Sequence, residues 1–305
     1  MITLAAHPDF FVASSLRSFR REDVPAVLDL SRRAFGRPEE QVGNPLWASL
    51  DELESELSDW DEPPETTLLV DVEDGKVVGF GGVEVARSFP HADLFGPLIA
   101  PGYRGQRLGS ELLDASVAIA VEHGRRSVVA SVGPRNISGR ILLEHQGFHP
   151  RGAAKAVFRL APEEHRAVVE GPEGVEVRRG GADDLEPALS LYHATFPEGV
   201  FPDDSWREGL AKGSVYLAER SGTPLAFLNL DTNDRWAYQI GVIAQERSRG
   251  VGRFLLSRVL QDYWTEHPGE VVGMSVEADN TPALRLLRRQ GFAPWLVLQS
   301  YELWL

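Results

Sequence analysis

RSRGVGRFLLSRVL, running from Arg247 to Leu260, sets two glycines two apart among arginines, directly ahead of an apolar run. Phe254, Leu255, Val259 and Leu260 recur with the spacing of one helix face. A Gly-x-Gly by itself is a common turn, and arginines by themselves are solvated surface. The residues before it decide the reading. AYQIGVI, ending at Ile243, reads as a strand, so the segment is a strand, a glycine loop and a helix. The first backbone N–H groups of such a helix have no intrahelical partner, and the helix dipole favours an anion beside them. Glycine allows a tight turn and a close approach of phosphate. Arg247, Arg249 and Arg253 can add charge-assisted hydrogen bonds. The Gly-Lys-Ser/Thr ending of triphosphate loops and the third glycine of the dinucleotide fingerprint are both missing. What remains is a pyrophosphate cradle of another kind.

The same pattern occurs twice. LRSFRREDVPAVLDL (Leu16 to Leu30) matches VRRGGADDLEPALSL (Val177 to Leu191), with Leu28 and Leu189 in register. YRGQRLGSELL (Tyr103 to Leu113) matches ERSRGVGRFLL (Glu246 to Leu256). RNISGRILLEHQGFHP (Arg135 to Pro150) matches DNTPALRLLRRQGFAP (Asp279 to Pro294). Three blocks in one order are the mark of a duplication. Each half reads as mixed α/β, with a helix after Asp23, a hairpin at Asp74-Gly75, a strand through LFGPLIAP, the loop and its helix, and a strand–helix–strand end. The boundary falls in the Pro-, Glu- and Gly-rich stretch, giving domains 1–162 and 175–305 around a linker, 163–174.

The chain has 305 residues, which suits two domains. It contains no cysteine, which removes thiolate nucleophiles and Cys-based metal sites. The eight histidines are scattered, and no metal is assigned. The net charge of −14 opposes nucleic-acid binding and favours a cationic partner. No membrane span and no charged secretory start are visible, so the expected location is the cytoplasm, with no membrane partner, as a monomer or homodimer.

RSRGVG resembles the Q/R-x-x-G-x-G/A loop of the GNAT superfamily of N-acetyltransferases. DNTPALRLLRRQGF resembles that superfamily's later Asn motif, and the likeness covers both halves. The layout is similar to that of mycothiol synthase-like tandem GNATs. The resemblance implies an α/β fold of two GNAT-like domains, each a mixed, mostly antiparallel sheet flanked by helices. It also implies acetyl-CoA or another acyl-CoA as donor, and an amine of a small molecule or peptide as acceptor. Carried over residue by residue, Ile240, Gly241 and Val242 would line the pantetheine arm. Arg247, Ser248, Arg249, Gly250, Val251, Gly252 and Arg253 would hold the pyrophosphate, and Asn280 would contact the arm. The first-half counterparts are Pro97, Leu98 and Ile99, then Arg104, Gly105, Gln106, Arg107, Leu108, Gly109 and Ser110, with Asn136. Arg107 replaces the first glycine. The turn tolerates it while φ stays negative, but phosphate approach is then hindered, which favours the second half as donor site.

Many GNATs place a tyrosine after the Asn motif to protonate the leaving sulfur; here Leu143 and Leu287 stand there and read as core. Tyr238, on the strand before the second loop, is an alternative acid. Glu84 and Asp231 align near the end of equivalent strands, and Asp93 starts the next strand of the first half; these three are the candidate bases. DELESELSDWDEPPE, from Asp51, packs carboxylates around Leu53 and Leu57. The acids read first as the outer face of a helix, and second as an acceptor-side wall. The alternatives to an enzyme of this kind are a non-catalytic acyl-CoA-binding sensor and an aminoacyl transferase with paired GNAT folds; the negative charge disfavours the tRNA that the latter needs.

Overall fold

The computed structural model describes residues 15–166, 170–197 and 201–305. The first half contains β1 (Ser15–Ser18), α1 (Val24–Gly36), α2 (Leu50–Ser58), α3 (Pro64–Thr67), β2 (Leu68–Glu73) and β3 (Lys76–Glu84). It continues with β4 (His91–Ile99), α4 (Leu108–Glu122), β5 (Ser127–Val132), α5 (Ile137–His145) and β6 (His149–Leu160). The second half contains β7 (Val175–Arg179), α6 (Leu185–Thr195), α7 (Asp203–Lys212), β8 (Val215–Arg220) and β9 (Thr223–Asp231). It ends with β10 (Trp236–Val242), α8 (Val251–Glu266), β11 (Val272–Glu277), α9 (Thr281–Gln290) and β12 (Ala293–Trp304).

Local chemistry explains the matching elements. Asp74 and Gly75, at φ 49° and 74°, form a two-residue turn that pairs Glu73 with Lys76. Ser221 and Gly222, at φ 52° and 77°, do the same between Arg220 and Thr223. Positive φ at both turn residues matches the twist of the flanking strands. Along α1, Val24, Val27, Leu28 and Ala34 are buried at helical spacing, with a proline in the first turn, where its missing N–H costs no hydrogen bond.

All twelve strands form one sheet, in the order β1-β2-β3-β4-β5-β12-β6-β11-β10-β9-β8-β7. Among the described residues, only β4–β5 and β10–β11 run parallel. The helices flank this mixed, mostly antiparallel sheet, as the sequence implied. The last strand of each half, however, does not return to its own half. β12 lies against β5, pairing Gln299 with Val132 through Trp304 with Ser127, and β6 lies against β11, pairing Val272 with Leu160. The two exchanged strands then pair with each other. A strand's alternation specifies which face is buried but not which neighbour it takes, so the sequence pattern could not reveal the exchange. One consequence is that Tyr301 of β12 belongs to the first half's apolar core, while Phe158 and Leu160 of β6 belong to the second's.

Candidate functional site

β4 and β5 are paired only where His91–Asp93 faces Ser127–Val129. Beyond that point the strands part, and the segment from Gln41 to Asn44 knits across the opening. Gly43 N–H donates to Ser131 O at 2.6 Å, and Gly96 N–H donates to Asn44 O at 2.8 Å. A Cβ on Gly43 would lie 2.6 Å from the Ser131 side chain, so only glycine allows the strand and segment to approach this closely. Two cavities flank this partition. Because side chains alternate along a strand, Ala130 and Val132 of β5 face one cavity, while Val129 and Ser131 face the other.

The first cavity is a groove of about 440 Å³ between the end of β4, the glycine loop and α5. Its lining includes Pro97, Leu98, Ile99, Arg104, Gly105, Arg107, Leu108, Gly109, Ser110 and Asn136, which are all of the first-half donor candidates except Gln106. Asn136 is buried, accepts a hydrogen bond from Gly139 N–H at 2.8 Å and donates to Gln41 O at 3.0 Å. It therefore both caps α5 and ties the partition to it. Leu143 also lines the groove and is 2% exposed; its counterpart Leu287 is 1% exposed, so both serve the core.

The two glycine loops share one backbone shape built from exchanged residues. Gly105 and Arg107 have φ 75° and 71°; Ser248 and Gly250 have φ 63° and 90°. Each loop thus holds one glycine and one L-residue in the left-handed region, in opposite order. The expectation that Arg107 keeps a negative φ is corrected: as the N-cap of α4 it stands at +71°, against a preference of about 1–2 kcal/mol. Arg104 Nε donates to Ile99 O and Arg247 Nε to Val242 O, each at 3.0 Å, so both arginines clamp the loop to the preceding strand. The second loop is situated differently. Its residues 240–253 line neither this groove nor the cleft described next. Gly171 packs on the Phe254 ring, and Pro172 lies 3.7 Å from the Cβ direction of Gly250. Asn280 is exposed and caps α9 by accepting from Ala283 N–H at 3.2 Å.

The second cavity is a cleft of about 540 Å³ between the halves. It brings together all four catalytic candidates, Glu84 and Asp93 from the first half with Asp231 and Tyr238 from the second. Glu84 and Asp93 face each other across β3 and β4. His91 Nε2 lies 3.6 Å from Asp93. Burial pushes the Glu84 carboxyl well above the usual range, reinforced by Asp93 and Glu56, because a desolvated charge beside other negative charges is costly. Tyr238 donates its hydroxyl proton to Asp234. Burial, and then the neighbouring Asp234 charge, keeps Tyr238 protonated well beyond its ordinary value.

The sequence reading missed several residues of this cleft. Glu56, taken for the outer face of a helix, accepts a hydrogen bond from Trp47 Nε1 at 2.5 Å and is pushed up to about 8 by burial and by Asp234. Glu52, Asp59 and Asp61 line the same cleft. For these residues the outer-face reading is overturned: α2 buries Leu53 and Leu57 on one side, and the second half closes over the side that would otherwise meet solvent. The acidic run following apolar i, i+4 positions was the available signal. Asp234 carried no sequence signal. Its carboxylate, with those of Asp59 and Asp231, forms a triad whose oxygens lie within 4.8 Å of one another. The histidines that suggested no metal are not part of it.

A family model described as the acetyltransferase (GNAT) family matches residues 25–148 and 183–292. The chain belongs to the GNAT acetyltransferase family. It does so twice over, as a tandem GNAT. It is 30% identical over 220 residues to a mycothiol acetyltransferase of Clavibacter sepedonicus, covering 67% of this chain and 71% of that one. Among solved structures, a GCN5-related N-acetyltransferase from Sphaerobacter thermophilus superposes with a TM-score of 0.75 at 21% identity over 95% of each chain. A tandem GNAT protein from the clavulanic acid biosynthesis pathway gives 0.68 at 18% identity, over 95% of this chain and 98% of that one. Among the described residues of this GNAT protein, no helix is long and apolar enough to cross a membrane.

Proposed function

We propose that this tandem GNAT transfers an acetyl group from acetyl-CoA to an amine, with the donor in the first-half groove and the acceptor in the cleft between the halves. The observation that carries the reading is the thin partition: β5 presents alternate residues to the two cavities, and beside it Val42 lines the groove while Gly43 and Asn44 line the cleft. A thioester at the end of the groove would lie beside an amine in the cleft. The residues fit such a donor. α4 offers the N–H groups of Leu108 and Gly109 at its start, Gly105 leaves open space above the loop, and Arg107 supplies a cation beside the groove.

In the cleft, the incoming ammonium gives its proton to Glu84. A carboxylate whose affinity for protons is raised by burial is a stronger base than an exposed one. The free amine attacks the thioester carbonyl, the C–N bond forms and the C–S bond breaks, and the proton that nitrogen sheds as the amide forms passes to the departing thiolate. The backbone N–H of Ile99 is the available oxyanion donor, since Leu98 pairs with Phe80 of β3 and Pro97 has no N–H. The departing thiolate, with a reference pKa of about 8.5, leaves without a tyrosine at position 143. Tyr238, held protonated, supplies a hydrogen-bond donor on the acceptor side. Asp231 and Asp93 shape the field of the cleft.

Hydrogen exchange with and without acetyl-CoA tests the donor assignment. Protection is expected over residues 97–110 and absent over residues 240–253. Protection confined to the second loop would overturn the assignment. Mass spectrometry of products from an amine panel tests the transfer.

A further inference from the structure

The cleft has a second polar centre that proton transfer at Glu84 does not use. Asp59 comes from the end of α2, and Asp231 and Asp234 from the turn after β9, so the two halves build it jointly. Three oxygens no more than 4.8 Å apart fit within a circle of radius about 2.8 Å, so all three are within N–H···O reach of a point at its centre. An ammonium at the centre of that circle meets all three carboxylates with its three N–H donors. Asn233 Nδ2 donates to Asp59 at 2.6 Å, and the Asn233 and Asp234 backbone N–H groups donate to Asp231 at 2.9 and 3.2 Å, which holds the group in place.

Three further observations point to a ligand rather than to a solvated acidic surface. The Glu84 carboxylate, in the same cleft, makes no hydrogen bond or ion pair among the described residues and yet is enclosed. The cleft is lined by nine carboxylates against four cations, and three of those cations are already engaged, Arg159 by Glu52 at 3.7 Å, Lys212 by Glu208 at 3.0 Å and Arg235 by Glu270 at 3.5 Å. Its walls are also aromatic, with Trp47, Trp60, Trp236, Phe89 and Phe201. Phe89 and Phe201 meet edge to face across the halves at 5.7 Å. Carboxylates separated by aromatic faces suit cationic nitrogens separated by apolar spacers.

We infer that the acceptor carries at least two ammonium groups, one delivered to Glu84 and a second held by the triad of Asp59, Asp231 and Asp234. The inference rests on the acetyl-transfer reading only for the fate of the first nitrogen. Its ligand class is a polyamine, either aliphatic or borne on a sugar. The division of labour follows: the first half presents the donor, and the triad built by both halves measures the acceptor by its distal charge.

The test is a calorimetric titration without acetyl-CoA, using spermidine, the polyamino sugar neamine and hexylamine as a singly charged control. Spermidine or neamine should bind at least about thirtyfold more tightly than hexylamine, given the attraction of a second charge for a partly enclosed triad. In Asp59→Asn/Asp231→Asn protein that advantage should fall to about threefold or less. Acetyl-CoA affinity reports whether the variant is folded; if it is not, the single Asp59→Asn variant carries the same comparison. Equal binding of hexylamine, or an advantage that survives in the variants, overturns the inference. So does displacement of spermidine by submillimolar magnesium or calcium, which would make the triad a metal site. The tighter of the two polyamines identifies the scaffold. If a polyamine binds as expected but is never acetylated when acetyl-CoA is added, the transfer reading fails and the ligand class stands.

Discussion

The two glycine loops have the same backbone and different surroundings. Gly105 and Arg107 take the left-handed conformations that Ser248 and Gly250 take in the other half, and each loop is clamped by an arginine to the strand before it. The first loop borders an open groove, whereas the second is flanked by Gly171 and Pro172 of the connecting stretch. The comparison teaches that the glycine pattern encodes a loop shape, while the packing around the loop governs whether a nucleotide has room beside it. On sequence the second loop, with glycine at position 250, was the better phosphate cradle. The first is the one that borders the groove.

The most damaging way to break this comparison is to place a carboxylate in each first turn. A glutamate there is favourable to the helix itself, so folding is preserved. Ser110→Glu should weaken acetyl-CoA binding by about a hundredfold or more through repulsion of the pyrophosphate, and Arg253→Glu by about threefold or less; titration calorimetry reads both. Comparable losses would mean that both halves bind donor.

Next in size, Glu84→Gln should lower kcat by about a hundredfold or more, the usual scale for a general base. In the wild type kcat/KM should rise with pH through the raised titration of Glu84, because only its deprotonated form accepts the proton. The variant's profile should lose that limb. Asp231→Asn, the equivalent position in the second half, should instead act mainly on KM. A base role for Asp231 would reverse the pattern.

Smaller effects sharpen the comparison. Tyr238→Phe removes the donor to Asp234 and should cost about tenfold or less in kcat/KM, the scale of one hydrogen bond to a charged group. Ser248→Gly should stabilise the fold by up to about 1 kcal/mol, since relief of left-handed strain exceeds the added freedom of the unfolded chain, and should leave acetyl-CoA affinity untouched. Arg107→Gly should stabilise similarly while weakening acetyl-CoA. Finally, Glu56 is raised to about 8 in the fold from an ordinary value of 4.5. The folded state therefore holds this proton more tightly than the unfolded chain, and stability falls as pH rises from about 4.5 to about 8. Glu56→Gln should flatten that part of a Tm–pH curve.

The sequence by itself determined the elements and their duplication. Helical spacing at Val24, Val27 and Leu28, the turn at Asp74-Gly75 and the repeated glycine loop are local properties, set by backbone conformation and side-chain periodicity. The same locality made the donor candidates legible, because a phosphate cradle is built from consecutive residues. Only the tertiary structure decided which strands are neighbours, which loop has a groove beside it, and that Glu84 and Asp93 share a cleft with Asp231 and Tyr238. It also turned Glu56 and Asp59 from an outer helix face into a wall of that cleft. The physical reason is that pairing partners and burial depend on contacts between residues far apart in the chain. Ser55 Oγ donates to Asn233 O across 178 positions, and no periodicity within either segment reports that meeting.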